Sequence, residues 1–379
     1  MRIEQRKWTE ARGWTSEPLE AFRESAQLVL TFGATSILRE RSLVEQVKTT
    51  YPGAHILGCS TAGEICGAQV SDDSLVTTAV SFEHTQLKGG QVKLSQVENS
   101  FQAGEYLARC LDPEGLVHVL VLSDGLAING SDLVGGLTKH LPDRVTVTGG
   151  LAGDGERFEE TLVFLDGVPE KNTIAALGLY GSRLKVGYGS LGGWDPFGPE
   201  RLITRSKGNV LYEMDGRSAL ELYKKYLGEH AHGLPATGLL FPLSLRVKAG
   251  ETGVVRTILS VNEQEQSMTF AGDVPEGAYA RLMKANFDRL IDGAIGAAKT
   301  SYQAIGSTSP DLAVLISCVG RKLILRQRIE EEVEGVRDVL GEHTILTGFY
   351  SYGEISPFTP GAKCELHNQT MTITTFSEG

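Results

Sequence analysis

The stretch "HILGCSTAGEI", residues 55–65, joins an apolar run to a turn that holds two glycines, Gly58 and Gly63, and the carboxylate of Glu64. A second stretch near the other end of the chain, "LTGFYSYGEI" at residues 346–355, has the same frame of glycine, four residues and Gly-Glu-Ile. Similarity at two distant places indicates an internal repeat, and repeats decide the architecture before single motifs do.

The repeated unit is a strand, a helix, a second strand, a glycine-rich turn with an acid, and a further strand. In the first copy these elements are predicted at residues 26–34, 36–48, 55–65 and 75–83, and in the last copy at residues 311–320, 329–340, 343–355 and 369–379. A further copy lies between these two and is predicted at residues 116–167, where Asp154 stands close to the position of the glutamate. A weaker fourth copy is predicted at residues 184–246.

These units predict an α/β fold in which repeated strand-helix-strand-strand units form packed mixed sheets with outer helices, in two related domains. We expect an N-terminal extension at residues 1–25, a first domain at 26–222 and a second domain at 223–379. The boundary is expected near a turn at Asp195-Pro196 or in the stretch 223–233.

Composition excludes several classes of function. The chain has 379 residues, a net charge of −11 and no basic run, which argues against nucleic acid as a partner. No apolar stretch reaches the length of a membrane span, and the N-terminus lacks the apolar segment of a secretory signal. The five cysteines fit no zinc, redox or haem-attachment spacing. We therefore expect a cytoplasmic protein with free thiols, no metal site and no membrane partner.

The C-terminal turn and the strand after it are rich in hydrogen-bonding side chains, which converge in pockets more often than in cores. The candidate ligand-binding residues here are Tyr350, Ser351, Tyr352, Glu354, His367 and Asn368. The alternative interpretation is a hydrogen-bonded corner between two strands.

The N-terminal turn supplies the remaining candidates, Cys59, Ser60, Thr61 and Glu64. Backbone N–H groups of a glycine turn can bind an anion, and Glu64 can accept from an amine, so the turn suits a zwitterionic metabolite. It could equally be a tight turn whose side chains satisfy the local backbone. A hydrolase or transferase using Cys59 is a third possibility, but no base is paired with it and no catalytic residue is predicted.

Six segments together resemble the FIST family of bacterial sensory proteins, which carry an N-terminal and a C-terminal FIST domain in tandem. The segments are "GCSTAGEI" at 58–65, "GGLAGDGERF" at 149–158, residues 187–228, "GLLFPLSLR" at 238–246, "SCVGRKLILRQR" at 317–328, and "GFYSYGEISPF" at 348–358 with "CELHNQTMTIT" at 364–374. The resemblance implies a signal-transduction sensor that is not an enzyme and that binds a small ligand, with amino acids suggested.

Some stand-alone members of the family resemble haem-binding nitric oxide sensors that regulate a histidine kinase or a cyclic-di-GMP enzyme. No kinase or other output segment is seen in the sequence, so the resemblance implies that the output goes to a separate protein. The candidate haem ligands are His230 and His232 in "GEHAHG" and His367, whereas His118 in an apolar strand is expected to be packed. Haem therefore remains a possible cofactor, and nitric oxide a possible signal.

Overall fold

The computed structural model describes residues 1–247, 253–306, 309–358 and 361–379. The strands up to residue 191 are β1 Arg2–Thr9, β2 Gly13–Trp14, β3 Leu28–Gly33, β4 His55–Ser60, β5 Glu64–Cys66, β6 Gln69–Ser71, β7 Ser74–Ser81, β8 Gln86–Lys93, β9 Leu116–Ser123, β10 Thr146–Leu151, β11 Val163–Leu165, β12 Thr173–Tyr180 and β13 Leu184–Leu191. The later strands are β14 Trp194–Lys207, β15 Val210–Met214, β16 Arg217–Ser218, β17 Leu243–Arg246, β18 Val254–Arg256, β19 Ile258–Asn262, β20 Ser267–Phe270, β21 Tyr279–Ala285, β22 Leu312–Cys318, β23 Ile345–Ser351, β24 Gly353–Pro357, β25 Cys364–His367 and β26 Met371–Glu378.

The α-helices lie between these strands, as the repeat predicts. They are α1 Glu20–Arg23, α2 Thr35–Glu40, α3 Ser42–Thr50, α4 Ser100–Cys110, α5 Gly130–His140, α6 Ala219–Leu227, α7 Phe287–Ala304, α8 Val319–Leu325 and α9 Ile329–Leu340. Short 3-10 turns occur at Leu94–Gln96, Gly228–Gly233, Ala236–Leu240 and Arg326–Arg328.

Three copies of the repeat share one topology. In each, the first two strands are parallel and a later strand runs antiparallel to the first: β3 with β4 and β7, β9 with β10 and β12, and β22 with β23 and β26. A parallel pair needs a crossover connection, and each copy supplies one with helix between its first two strands. The predicted α/β class with mixed sheets is therefore confirmed.

The three copies also exchange strands in a ring. The strand after the first turn, β5, pairs with β23 of the third copy, and β24 after the third turn pairs with β10 of the second. The strand β11, which follows the second turn, pairs with β4 of the first copy. Three backbone bonds between the turns follow the same order: Ala62 N to Tyr350 O, Tyr352 N to Leu151 O, and Gly153 N to Ser60 O. The turns therefore meet around a common pseudo-threefold centre.

Matching apolar positions of the three copies form a central core. One set of matching residues is Phe32, Leu122 and Ile316, which are all buried in one cluster. Each lies in the first strand of its copy, and the residue after it pairs with the second strand at Ser60, Leu151 or Tyr350. The helices pack on the outer faces of the sheets and bury their own apolar stripes there.

The predicted fourth copy is wrong. Its first strand, β13, pairs along its whole length with β26 and completes the sheet of the third copy. The chain then enters a separate antiparallel sheet in which β18 and β19 stand at the two ends of the strand order, although only Thr257 separates them in sequence. This sheet therefore curls around the apolar residues that α6 covers, and we refer to it as the curled sheet.

Three local predictions need correction. Asp195 and Pro196 lie inside the long strand β14 and form no turn. The single helix predicted at residues 36–48 is two helices, α2 and α3, because Arg41 between them adopts a left-handed conformation with φ 62°. The stretch 279–303, whose alanines and leucines predict a helix, begins instead as strand β21, and Asn286 then caps α7.

The predicted domain boundary between residues 222 and 223 lies inside α6. The two halves of the chain also share sheets through the pairs β5–β23, β10–β24 and β13–β26. The boundary itself stays a prediction, because shared sheets make a single dividing residue hard to define.

Candidate functional site

The two glutamates of the repeated turns have the same hydrogen-bond network. Glu354 accepts from Ser351 Oγ at 2.6 Å and from the N–H and hydroxyl of Thr370 at 3.1 and 2.9 Å. Glu64 accepts from the Thr61 hydroxyl and from the N–H and hydroxyl of Ser74, at 3.2 and 2.6 Å. Each carboxyl group thus joins its own turn to the start of the next long strand.

Burial raises the pKa of both carboxyl groups, because the charged form loses its water. The pKa of Glu64 is raised to about 7 and that of Glu354 to about 8, although the hydrogen bonds from the hydroxyl groups act in the opposite direction.

The other C-terminal candidates also bond within the protein. Tyr350 donates to Glu332 at 2.7 Å, and the Tyr352 hydroxyl lies against Asp154 and 3.0 Å from the Gly155 carbonyl. His367 Nε2 lies 2.9 Å from the Ser356 carbonyl. Asn368 donates to the Tyr352 carbonyl at 3.0 Å. None of the six C-terminal candidates is more than 4% exposed. The structure brings them together, but as a corner between strands; their contact with a ligand stays a prediction.

Cys59 and Ser60 of the N-terminal turn are equally enclosed. Ser60 Oγ accepts from the Leu162 N–H at 2.9 Å. Cys59 lies in the central core, and burial raises the pKa of its thiol well above the ordinary value. Since the thiolate is the nucleophile, this environment argues against catalysis by Cys59.

An open cleft lies beside the turns. It has a volume of about 830 Å³ and is bounded by the turns of the first two copies, by α8 of the third copy and by the 3-10 turns that precede β17. Its charged or hydrogen-bonding side chains are Asp72, Glu156, Arg157, His230, Thr237, Lys322 and Arg326. Ligand pockets commonly have volumes of roughly 300–1,000 Å³ with a few convergent polar groups. We call this space the Lys322 cleft.

Lys322 is held at the inner side of the cleft. Its ammonium group donates to the Ala62 carbonyl at 2.8 Å, forms an ion pair with Asp72 and lies 5.8 Å from the centre of the Tyr350 ring. Gly63, with φ 138°, leaves the space that the lysine fills, because a Cβ there would lie 2.5 Å from Lys322 Nζ. The lysine thus connects α8 to the first turn.

Lys322 departs from the repeat. The helices α2 and α8 follow the first strands of their copies in the same way, and Leu38 and Lys322 are the fourth residues of these helices. Leu38 is fully buried in an apolar cluster, whereas the third copy has a cation at the matching place. A position that departs from the pattern of the repeat is where functional residues are expected.

The predicted haem ligands are separated. His230 lines the Lys322 cleft and is exposed, and His232 lies on the same 3-10 turn. His367 is buried in the β24–β25 corner, where burial lowers its pKa to about 4. His118 is packed between Thr146 and Thr148, as expected, and burial lowers its pKa to about 3.

Sequence reasoning missed Lys322 together with Asp72, Arg157 and Arg326. These residues come from three segments that are far apart in the chain, and only Lys322 and Arg326 lie in the same segment. A residue-by-residue alignment of the first and last copies would have found Lys322 opposite Leu38, because the helices start at matching positions.

Two features are absent from the parts of the chain that the structure describes. No cluster of three or more histidine, cysteine or acidic side chains there could hold a metal ion. Within the same residues, no helix combines the length and apolar character of a membrane span.

The fold and the cleft together define an α/β protein of three interlocked repeats and a curled sheet, with an open polar cleft where these parts meet. Family models match almost the whole chain: the FIST N domain at residues 27–217 and the FIST C domain at residues 219–357. The chain therefore belongs to the FIST family, whose domains are associated with sensing in signal transduction.

Two further similarities were found. An uncharacterised protein of Methanocaldococcus jannaschii is 24% identical over 349 residues, which cover 84% of this chain and 65% of that protein. The chain thus spans about 65% of the length of that relative. The crystal structure of a cyanuric acid hydrolase from A. caulinodans is similar with a TM-score of 0.38 and 9% identity, covering 100% of this chain and 98% of that one.

Proposed function

We propose that this protein is a sensor that binds a small ligand in the Lys322 cleft and thereby changes its contact with a separate signalling protein, such as a histidine kinase or a cyclic-di-GMP enzyme. The observation that carries the proposal is Lys322 itself, a lysine at the inner side of an open cleft where the matching residue of the first copy is a buried leucine. Membership of a family of sensor domains supports the same function.

An amino acid is the first ligand to test. The cleft presents groups of both signs, with Lys322, Arg157 and Arg326 for a carboxylate and Asp72 and Glu156 for an amine. In this proposal the buried residues of the two turns support the cleft, because the Tyr350 ring and the Ala62 carbonyl both contact Lys322. The five cysteines are unpaired, which supports placing the sensor in the reducing cytoplasm.

We expect a thermal-shift screen of amino acids and related metabolites to raise the melting temperature of the wild-type protein for at least one compound. At a hundredfold excess over the dissociation constant, binding stabilises the folded state by about 2.7 kcal/mol. The shift should disappear in Lys322→Met and persist in Lys139→Met, which changes an exposed lysine of α5. A shift that survives in Lys322→Met would place the ligand elsewhere.

Haem binding is the second candidate function, and one observation favours it. Exposed His230 faces a cleft with an apolar wall that includes Leu240, Leu323 and Ile329, and Arg157 and Arg326 are available for the carboxylates of a haem. An axial imidazole next to an apolar surface is what the group needs. A bound haem iron would supply the site for a diatomic gas.

We expect haem reconstitution, if the second candidate is right, to give a Soret band that moves or vanishes in His230→Ala. His232→Ala is the matched control on the same 3-10 turn, and His367→Ala tests the buried alternative. No band in the wild-type protein would rule out haem, and an unchanged spectrum in all three variants would mean that another residue is the axial ligand.

A further inference from the structure

We propose that the Lys322 cleft takes small organic carboxylates, and that a ligand carboxylate binds by replacing Asp72 at Lys322. This inference rests on the proposed function and adds the chemical class of the ligand and a regulatory contact. In the ligand-free protein Asp72 then acts as an internal competitor for the site.

The first step is the balance of charge in the cleft. Lys322, Arg157 and Arg326 are cationic, while Asp72 and Glu156 are acidic, so the cleft has an excess of positive charge in a chain whose net charge is −11. A local charge of opposite sign to the whole protein attracts small anions to one place.

The second step is that the two arginines are poorly paired. Within the described residues, the Arg326 guanidinium group has one hydrogen bond, to the Leu323 carbonyl at 3.4 Å. Arg157 lies 4.0 Å from Asp154, at the limit of an ion pair. Asp154 already accepts three backbone N–H groups, from residues 158, 159 and 160. A carboxylate in the cleft would thus meet guanidinium groups that have donors to spare.

The third step concerns the ion pair itself. The Lys322 side chain is 17% exposed, whereas the Asp72 side chain is 67% exposed. Exposed partners of an ion pair contribute little to stability, so moving Asp72 into water costs the fold little. An ammonium group that is mostly buried needs a counter-charge, which an incoming carboxylate supplies.

The fourth step gives the carbon skeleton a place. Leu240, Leu323 and Ile329 form part of the cleft wall, so an aliphatic chain attached to the carboxylate can bury its CH₂ groups there. This apolar wall favours a carboxylic acid over a free inorganic anion.

Replacement of Asp72 would also produce a signal. Asp72 and Asp73 form the connection between β6 and β7, and β6 is tied to α9 through the bond from Val70 N–H to Glu330. Once Lys322 binds the ligand, this connection loses its tether to α8. A partner protein that reads the β6–β7 connection would then distinguish the two states.

The test is calorimetric titration of the full chain with glutarate, with inorganic phosphate and with putrescine. We expect glutarate to bind, phosphate to bind more weakly and putrescine not to bind. Asp72→Asn should tighten glutarate binding by about three- to tenfold, since a competing charge near the lysine is removed, and Lys322→Met should weaken it by about tenfold or more.

The matched control is Glu170→Gln, which frees Lys93 from a comparable ion pair of 2.8 Å outside the cleft. It changes net charge as Asp72→Asn does and should leave glutarate binding unchanged. Arg326→Gln, at an exposed position, provides a second loss-of-binding variant should Lys322→Met fail to fold.

Equal glutarate affinity in the wild type and Asp72→Asn would overturn the inference. The same gain in Glu170→Gln, or no glutarate binding to the wild type or Asp72→Asn, would do so as well. Phosphate binding that is as tight as glutarate binding would also overturn it, because the apolar wall would then play no part. A neutral or cationic metabolite that binds through the Lys322 cleft would refute this inference and leave the proposed function standing.

Discussion

Glu332→Ala is expected to lower the free energy of unfolding by about 3–5 kcal/mol, the cost of leaving one member of a buried ion pair without its partner. Arg321 and Glu332 are both 0% exposed and lie 2.7 Å apart. The arginine also donates to the carbonyls of Gly192 and Leu290, at 3.0 and 2.7 Å. These contacts hold α8, the helix that carries Lys322, in place. Loss of the ion pair should therefore also disorder the Lys322 cleft.

Glu331→Ala is the matched control one residue earlier. The side chains of Glu331 and its ion-pair partner Arg328 are 44% and 41% exposed, so removing this ion pair should leave the free energy of unfolding nearly unchanged. Urea unfolding of both variants measures the difference. Equal stability of Glu332→Ala and Glu331→Ala would mean that the buried pair does not hold the helix in place.

Glu354→Ala is expected to lower the free energy of unfolding by about 2–4 kcal/mol. The change leaves the Thr370 N–H and the hydroxyl groups of Ser351 and Thr370 without their acceptor in a buried corner. Each buried group without a hydrogen-bond partner costs about 1–3 kcal/mol, and a hydroxyl that rotates to another acceptor costs less. Ligand affinity of the folded protein should stay unchanged if Glu354 only joins the strands. A rise of tenfold to a hundredfold in the dissociation constant would instead show that Glu354 contacts the ligand.

The pH dependence of stability in Glu354→Gln tests the effect of the Glu354 charge, because glutamine keeps the size of the side chain and removes its charge. The folded-state pKa of Glu354 is about 8, above its ordinary value of 4.5, so the stability linked to its proton is fully present below pH 4.5 and is lost as the pH rises through 8. Between pH 7 and 9 the melting temperature of the wild type should therefore fall more steeply than that of Glu354→Gln. Glu64→Gln should act at lower pH, since the pKa of Glu64 is about 7. Parallel curves for wild type and Glu354→Gln would contradict this origin of the pH dependence.

The repeat could be predicted from the sequence because each copy carries its own pattern of strand, helix and glycine turn. The exchange of strands could not, because periodicity shows that residues 64–66 are extended but not that they pair with β23 almost 300 residues away. The fourth copy was predicted wrongly for the same reason: β13 has the pattern of a strand, and only its long-range pairing with β26 assigns it to the third copy.

The polar turns could be predicted from the sequence, but whether their side chains line a pocket or join strands could not. The residue pattern at 350–354 fits a pocket and a strand corner equally well, since both need many hydrogen-bonding groups. In the structure Glu354 is 0% exposed and joins two strands, and its contact with a ligand stays a prediction. Asp72 and Lys322 were missed because they are 250 residues apart, and neither one stands in a motif that marks an ion pair.

The central claim is that the Lys322 cleft is the ligand site, and a crystal structure of the protein with a compound found in the thermal-shift screen tests it most directly. The account predicts a ligand within hydrogen-bonding distance of Lys322 Nζ, with Arg157 or Arg326 beside it. A ligand bound elsewhere, for example in the cavity of about 590 Å³ between Tyr188 and Cys364, with Lys322 still paired to Asp72, would contradict it.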